Sequence, residues 1–347
     1  MTSTTEQDCE LSYRYWTHAC SSLVFSVLRC HGQDFVADME RLSVRRHQQA
    51  HFLPGLAKLG LDQETNDVRR CALYHFFSNS LGGLPMHYVE ERPDKIWIRY
   101  LAPFWMGDSP LHPSSGPAIL GPAFGRAPFL GWHAFNGAFL GNPKLVFVHT
   151  QNLVEGEPWD GGYFTIDTED HAPGEGYLRR PGEWGPPPDP ATTPALPHAS
   201  WPSERRLKAR RTFAIEFMLS RIRTLCDLVG LAEAARLTER AFTICLAQLL
   251  PSICAELGLA GIVSAADGAR CYAGLAAANG SNVDHTETTG AQRLVEYTRL
   301  WRTEPSPGEE IEQAIAHAWS AALKLYGSER SCSLTAQGKD DYLWSFA

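Results

Sequence analysis

Leu59-Gly60-Leu61, Arg70-Cys71-Ala72-Leu73 and Ser78-Asn79 follow a helical stretch that starts near Cys20. The same landmarks return as Leu257-Gly258-Leu259, Arg270-Cys271-Tyr272 and Ala278-Asn279, after a helical stretch from about Phe213. Cys71 and Asn79 each recur 200 residues on, and His87 recurs as His285. Collinear landmarks at a near-constant offset predict an internal repeat. Working outward, the alternating Lys95–Leu101 matches Arg293–Arg299, and both read as strands. His133-Ala134-Phe135 matches His317-Ala318-Trp319 on a helix that follows. Strands over Leu145–Asn152 and Tyr163–Asp167 close the first copy, and Cys332–Ala336 and Tyr342–Phe346 close the second.

These readings predict an α+β chain of two tandem copies, each with helices on one face of an antiparallel sheet, related by a pseudo-twofold. The helical spacing of Phe213, Phe217, Met218, Ile222 and Leu225 supports the helices. The expected division is a first copy over 1–171, which holds the functional pocket, a proline-rich linker over 172–204 and a second, diverged copy over 205–347. Gly185-Pro-Pro-Pro-Asp-Pro190 fits neither helix nor central strand, because proline fixes φ and lacks the amide donor. A stiff, extended segment is expected there.

Of the 347 residues, 44% are hydrophobic and 20% charged, a composition that supports real cores. The net charge of −8 argues against general nucleic-acid binding. Two basic clusters, Arg41 with Arg45 and Arg46, and Arg205 to Arg211, read as solvated helix faces. Nine cysteines without a CxxC pair, and a start (MTSTTEQDCE) unlike a secretory signal, point to reduced thiols in the cytoplasm. No apolar run is long enough to span a membrane.

Cys71, His75 and Asn79 stand at i, i+4 and i+8 on one helix face, in line for a nucleophile, a base and an orienting group. The bland alternative is a buried face with Asn79 near the helix end before Gly82-Gly83. His87 and His133, matched by His285 and His317, are either pocket groups or structural histidines. Phe147, His149 and Gln151 alternate onto one sheet face. The glycine-rich Gly116–Trp132 fits neither a dinucleotide nor a phosphate loop, and reads as a loop closing over a small organic ligand. Arg126 in it could pair with a carboxylate and Trp132 could line the pocket; packing between copies is the alternative. Asp167-Thr-Glu-Asp170-His171 has oxygen and imidazole donors but none of the strong metal signatures, so no metal site is expected.

The hairpin Gly141-Asn-Pro-Lys-Leu-Val-Phe-Val-His-Thr-Gln-Asn through Tyr163-Phe-Thr-Ile166 resembles the closing hairpin of L-2-amino-thiazoline-4-carboxylate hydrolase-like proteins and vinyl-reductase-type small-molecule-binding domains. The cysteine usual after the Gly-acidic turn is absent, with Asp160 and Gly161 in its neighbourhood. His133 stands where the preceding helix usually carries an acid. The resemblance implies a hydrolase of a C–N bond in a small heterocyclic or amide-like compound. His75, His133 or His87 would activate water, and Asn79 or Arg126 would steady developing charge. The alternative is a sensor module that binds a small molecule without catalysis. The expected partners are a small molecule and a second copy of the chain, with no nucleic acid and no membrane. No cofactor is indicated.

Overall fold

Gly32 interrupts the helix α1 (Glu6–Leu59) with φ 85° and ψ 179°, a left-handed excursion open to glycine and strained for other residues. Gly230 does the same, at φ 79°, between α5 (Ser203–Val229) and α6 (Leu231–Glu256). The computed structural model describes residues 6–102, 120–262, 264–288, 291–297, 307–326, 331–336 and 341–346.

The chain divides into a contiguous unit, Cys30–Phe213, and a split unit, Met1–Arg29 with Ala214–Ala347. This differs from the division expected at 171 and 205. The first half of α1 finds its partners in the split unit, where Trp16 packs edge-on to Phe242 at 5.9 Å and Ser12 donates to Asn279.

In the contiguous unit the second half of α1 leads to α2 (Asp67–Leu81), whose N-cap Asn66 accepts from the Arg69 amide. A hairpin of β1 (Met86–Arg92) and β2 (Lys95–Tyr100) follows. Next come α3 (Pro122–Gly131), a 3₁₀ turn over His133–Phe135 and α4 (Asn136–Leu140). Strands β3 (Leu145–Gln151), β4 (Asp160–Ile166) and β5 (Tyr177–Arg179) complete a sheet ordered β1-β2-β4-β3-β5. Its pairs are antiparallel except β3 with β5, which makes the sheet mixed.

The segment expected to be a linker is part of this unit. Beyond β5 it crosses the outer face of the sheet, where Lys95 pairs with Glu183 at 2.8 Å and Arg99 donates to the Pro186 carbonyl at 2.6 Å. Gly185 passes over Trp97 so closely that a β-carbon would lie 2.5 Å from the ring. Trp97, Val146, Val148 and Tyr163 form a buried cluster with Val89 and Leu178 packed against it, and the strap reaches it through Gly185 at Trp97 and Glu183 at the Tyr163 hydroxyl. With helices on the other face, every residue of β3 is buried, which is why Leu-Val-Phe-Val is an unbroken apolar run.

The split unit adds α7 (Ala265–Ala278), β6 (Asn282–Thr288), β7 (Ala291–Tyr297), α8 (Glu309–Lys324), β8 (Cys332–Ala336) and β9 (Asp341–Phe346) to α6 and the helices around it. Its sheet is antiparallel, ordered β6-β7-β9-β8. The strand expected over 293–299 lies at Ala291–Tyr297, and its last two residues fall outside the described ones. Each unit is thus α+β, with the helix–hairpin–helix–hairpin order read from the sequence. None of the nine cysteines is in a disulfide. Among the described residues no helix is long and apolar enough to cross a membrane.

Candidate functional sites

In the contiguous unit, the β2, β4 and β3 residues facing the helices are set by register: Ile96 opposite Phe164, Phe164 opposite Phe147, and Tyr100 opposite Asp160. His75 from α2 and His133 from the 3₁₀ turn stack at 4.0 Å and 17° over the Phe164 ring. Tyr100 Oη lies 3.2 Å from His133 Nε2. The Asn136 amide donates to His75 Nε2 at 2.9 Å, and Asn136 Oδ1 accepts from Gln48. His149 bonds Tyr177 Oη at 2.7 Å and stacks on Phe129. The structure therefore gathers His75, His133, His149, Phe147 and Trp132 in one interior, as well as Tyr100, Asn136, Gln48 and Asp160, which the sequence reading passed over.

Burial pushes His75 and His149 down to about 3 and His133 well below the usual histidine range, so all three are neutral near pH 7. Such weak bases are poorly matched to general-base work at neutral pH. Cys71 is buried, and its thiol is pushed up by burial and by Asp67, the reverse of nucleophile activation. Asn79 bonds back to the His75 carbonyl at 2.8 Å and reaches Tyr100 Oη at 3.4 Å.

Three expected residues lie apart from this interior. His87 is paired in register with Arg99, which faces the strap, so it belongs to the outer side of the sheet. Arg126 is engaged with Glu155 at 2.8 Å, and Glu155 also pairs with Arg179. A bulge between His149 and Gln151 turns Gln151 to the outer face, where it donates to the Glu183 carbonyl. The segment read as a closing loop is largely helix: proline starts α3, and Phe124, Ala127 and Phe129 are buried along it. Residues 116–119 of that segment lie outside the described ones. Asp167 and His171 pair with each other at 2.7 Å. Among the described residues no three histidine, cysteine, aspartate or glutamate side chains converge as metal ligands would.

Asp160 is 5% exposed, accepts from the Leu153 amide at 2.6 Å, and is pushed up to about 7, above all by burial. Its folded-state value lies above the ordinary 3.8, so its contribution to stability is full below 3.8 and is lost as pH rises to about 7. That rise, at about 1.4 kcal/mol for each pKa unit, corresponds to about 4 kcal/mol. Asp160→Asn keeps the acceptor and should raise the melting temperature at about pH 8 while changing little at about pH 4. Equal effects at both would contradict this reading.

The split unit holds a cavity between its helices and the inner face of its sheet. Trp16 and Trp319 line it from the helices, and Glu296, Tyr342 and Trp344 from the strands. It has about 50 Å³ for the centres of water-sized molecules, room for roughly four waters or one small organic head group. Glu296, 3% exposed, accepts from the Tyr272 hydroxyl and from Trp344 Nε1 at 2.9 Å. Burial raises its pKa. Tyr342 pairs in register with Glu296 and donates to Glu312 on α8. Asn279 Oδ1 accepts from Ser12 and Trp16.

Both sheets carry a tyrosine directly across from an acid, but with the strands exchanged: Tyr100 on β2 faces Asp160 on β4, and Glu296 on β7 faces Tyr342 on β9. The histidine matches differ in their surroundings. His317 is 61% exposed beside Glu239 and His285 is also exposed, whereas His133 is buried. Neither family models, nor curated proteins, nor solved structures match this chain.

Proposed function

We propose that the chain is a small-molecule-binding protein whose binding site is the aromatic cavity of the split unit. The carrying observation is a cavity placed between helix layer and sheet, walled by rings and furnished with a few fixed polar groups, the usual build of a ligand pocket. This is the sensor reading, with the pocket in the split unit, lined in part by Tyr15 and Trp16 of the first helix, and not in the first copy where the sequence reading expects it. A thermal-melt screen with small neutral, anionic and cationic organic compounds tests it. A compound present at 100 times its Kd should stabilise by about 2.7 kcal/mol. Leu275→Trp, which fills the cavity from α7, should abolish the shift. Failure of every class to bind at millimolar concentration would overturn the reading.

The proposal includes a tandem duplication with a pseudo-twofold. It is supported by the equivalent orders of four strands in each sheet, by Gly32 and Gly230 each separating two helical stretches, and by Cys71 and Asn79 of α2 recurring as Cys271 within α7 and Asn279 at its C-cap. A cytoplasmic location and a homodimer belong to the same proposal.

The second reading is the C–N hydrolase implied by the resemblance over 141–166. In its favour, His133 Nδ1, His149 Nε2 and Trp132 Nε1 are buried without hydrogen-bond partners in the contiguous unit, and such orphans are expected where a ligand or water belongs. Turnover of amide-like heterocycles that is lost in both His75→Ala and His133→Ala would favour it.

A further inference from the structure

We infer that the cavity of the split unit takes an organic cation, a methylated ammonium head in particular; this rests on the binding reading above. Three observations lead there. The walls are ring faces set at an angle: Tyr272 lies 4.1 Å from Trp344 at 37° and 5.1 Å from Trp319 at 73°. These rings pack on one another and, with Trp16 and Phe242, form an aromatic wall around one compact space, and a cation over indole or phenol is drawn by the ring quadrupole.

The second observation is the carboxylate behind the rings. Glu296 is almost wholly buried, and Tyr272, Ser281 and Trp344, which donate to it, are all neutral. Among the described lining residues none is lysine, arginine or histidine. A buried carboxylate held by neutral donors is costly to ionise, and a cation brought within reach would repay that cost. The bonds also couple acid to walls: an indole N–H and a phenol O–H that donate to an anion polarise their rings toward negative, which deepens the attraction for a cation.

The third is the scarcity of free acceptors. A primary ammonium brings three N–H donors that each need an oxygen. Here Asn279 Oδ1 already accepts two bonds, Glu296 accepts from Tyr272, Trp344 and Ser281, and Glu312, the other carboxylate of the lining, accepts from Tyr342. A methylated ammonium has little or no such demand, is weakly hydrated and fits apolar ring faces.

The test compares two compounds of equal shape, (2-hydroxyethyl)trimethylammonium and 3,3-dimethylbutan-1-ol, on the full chain. Binding is read by calorimetry and by quenching of tryptophan fluorescence. The cation should bind about tenfold more tightly than its neutral isostere, within the range cation–π contacts supply. Glu296→Gln keeps an acceptor for Tyr272 and Trp344 and should cut that preference to about threefold or less, the part the rings alone supply, with little change in melting temperature. Should Glu296→Gln fail to fold, Trp319→Leu provides the second variant, again with the preference reduced. Equal binding of the two compounds overturns the cation inference and leaves the pocket reading standing. Binding of neither also overturns it, and the wider compound screen then decides whether the pocket reading survives.

Discussion

Acidification from about pH 7 to about pH 4.5 is expected to unfold the contiguous unit. His75 and His149 have folded-state values of about 3 against the ordinary 6.5. Because those values are depressed, the stability they carry is complete above 6.5 and is lost as pH falls toward 3. At about pH 4.5 each has forfeited roughly 2.7 kcal/mol, and His133 acts in the same direction. Asp160 works against them, returning roughly 3 kcal/mol as it takes up its proton. The balance is a loss of several kcal/mol, a large part of a domain's usual stability. Hydrogen exchange of the β2 and β4 amides against pH measures it, and Asp160→Asn should steepen the loss by removing the counterweight. Protection that is unchanged at about pH 4.5 would mean that these imidazoles are not buried and neutral.

Gly162→Ala should do comparable damage at constant pH. Gly162 sits mid-strand in β4, between β2 and β3. A β-carbon there would run into the Val148 carbonyl oxygen and come within 3.0 Å of His149 Cα. Both are backbone atoms of the neighbouring strand, and they cannot swing aside as a side-chain tip can. Alanine therefore forces β3 and β4 apart, at a cost of about 3 kcal/mol or more. Gly182→Ala is the control: its φ of 76° brings strain, but nothing lies within 4 Å. It should cost about 1 kcal/mol. Urea midpoints of the two variants that differ little would discount the packing argument.

That glycine also shows what the sequence could and could not disclose. Alternation over Lys95–Tyr100 and helical spacing around Phe213–Leu225 reveal elements because each has one dominant buried face. Gly161-Gly162 reads as a turn, so the start of β4 at Asp160 was hidden, and with it the acid opposite Tyr100. Gly125, Pro128 and Gly131 likewise suggest a loop where α3 forms. There the small residues permit close approach, Gly131 lying against the Arg41 backbone. Periodicity predicts that a helix face will be covered without saying by what. Hence the sequence groups residues 6–29 with the copy that follows them, although their partners come after residue 213. Glu296 is illegible in the sequence for a related reason: on an alternating strand a glutamate reads as the wet side, and only the tertiary fold puts it among rings.

The assignment of Met1–Arg29 to the split unit sets an order of events during synthesis. Everything the histidine interior needs has left the ribosome once Phe213 emerges, while Tyr15 and Trp16 must wait for Phe242, Tyr272 and Trp344, more than 200 residues downstream. So long a wait makes the aromatic cavity a late, high-contact-order product, formed after the rest of the chain has settled. Until then the leading helix presents Trp16, Leu23 and Val27 without their partners, so a chain truncated near residue 213 should be recognised by chaperones through its first thirty residues.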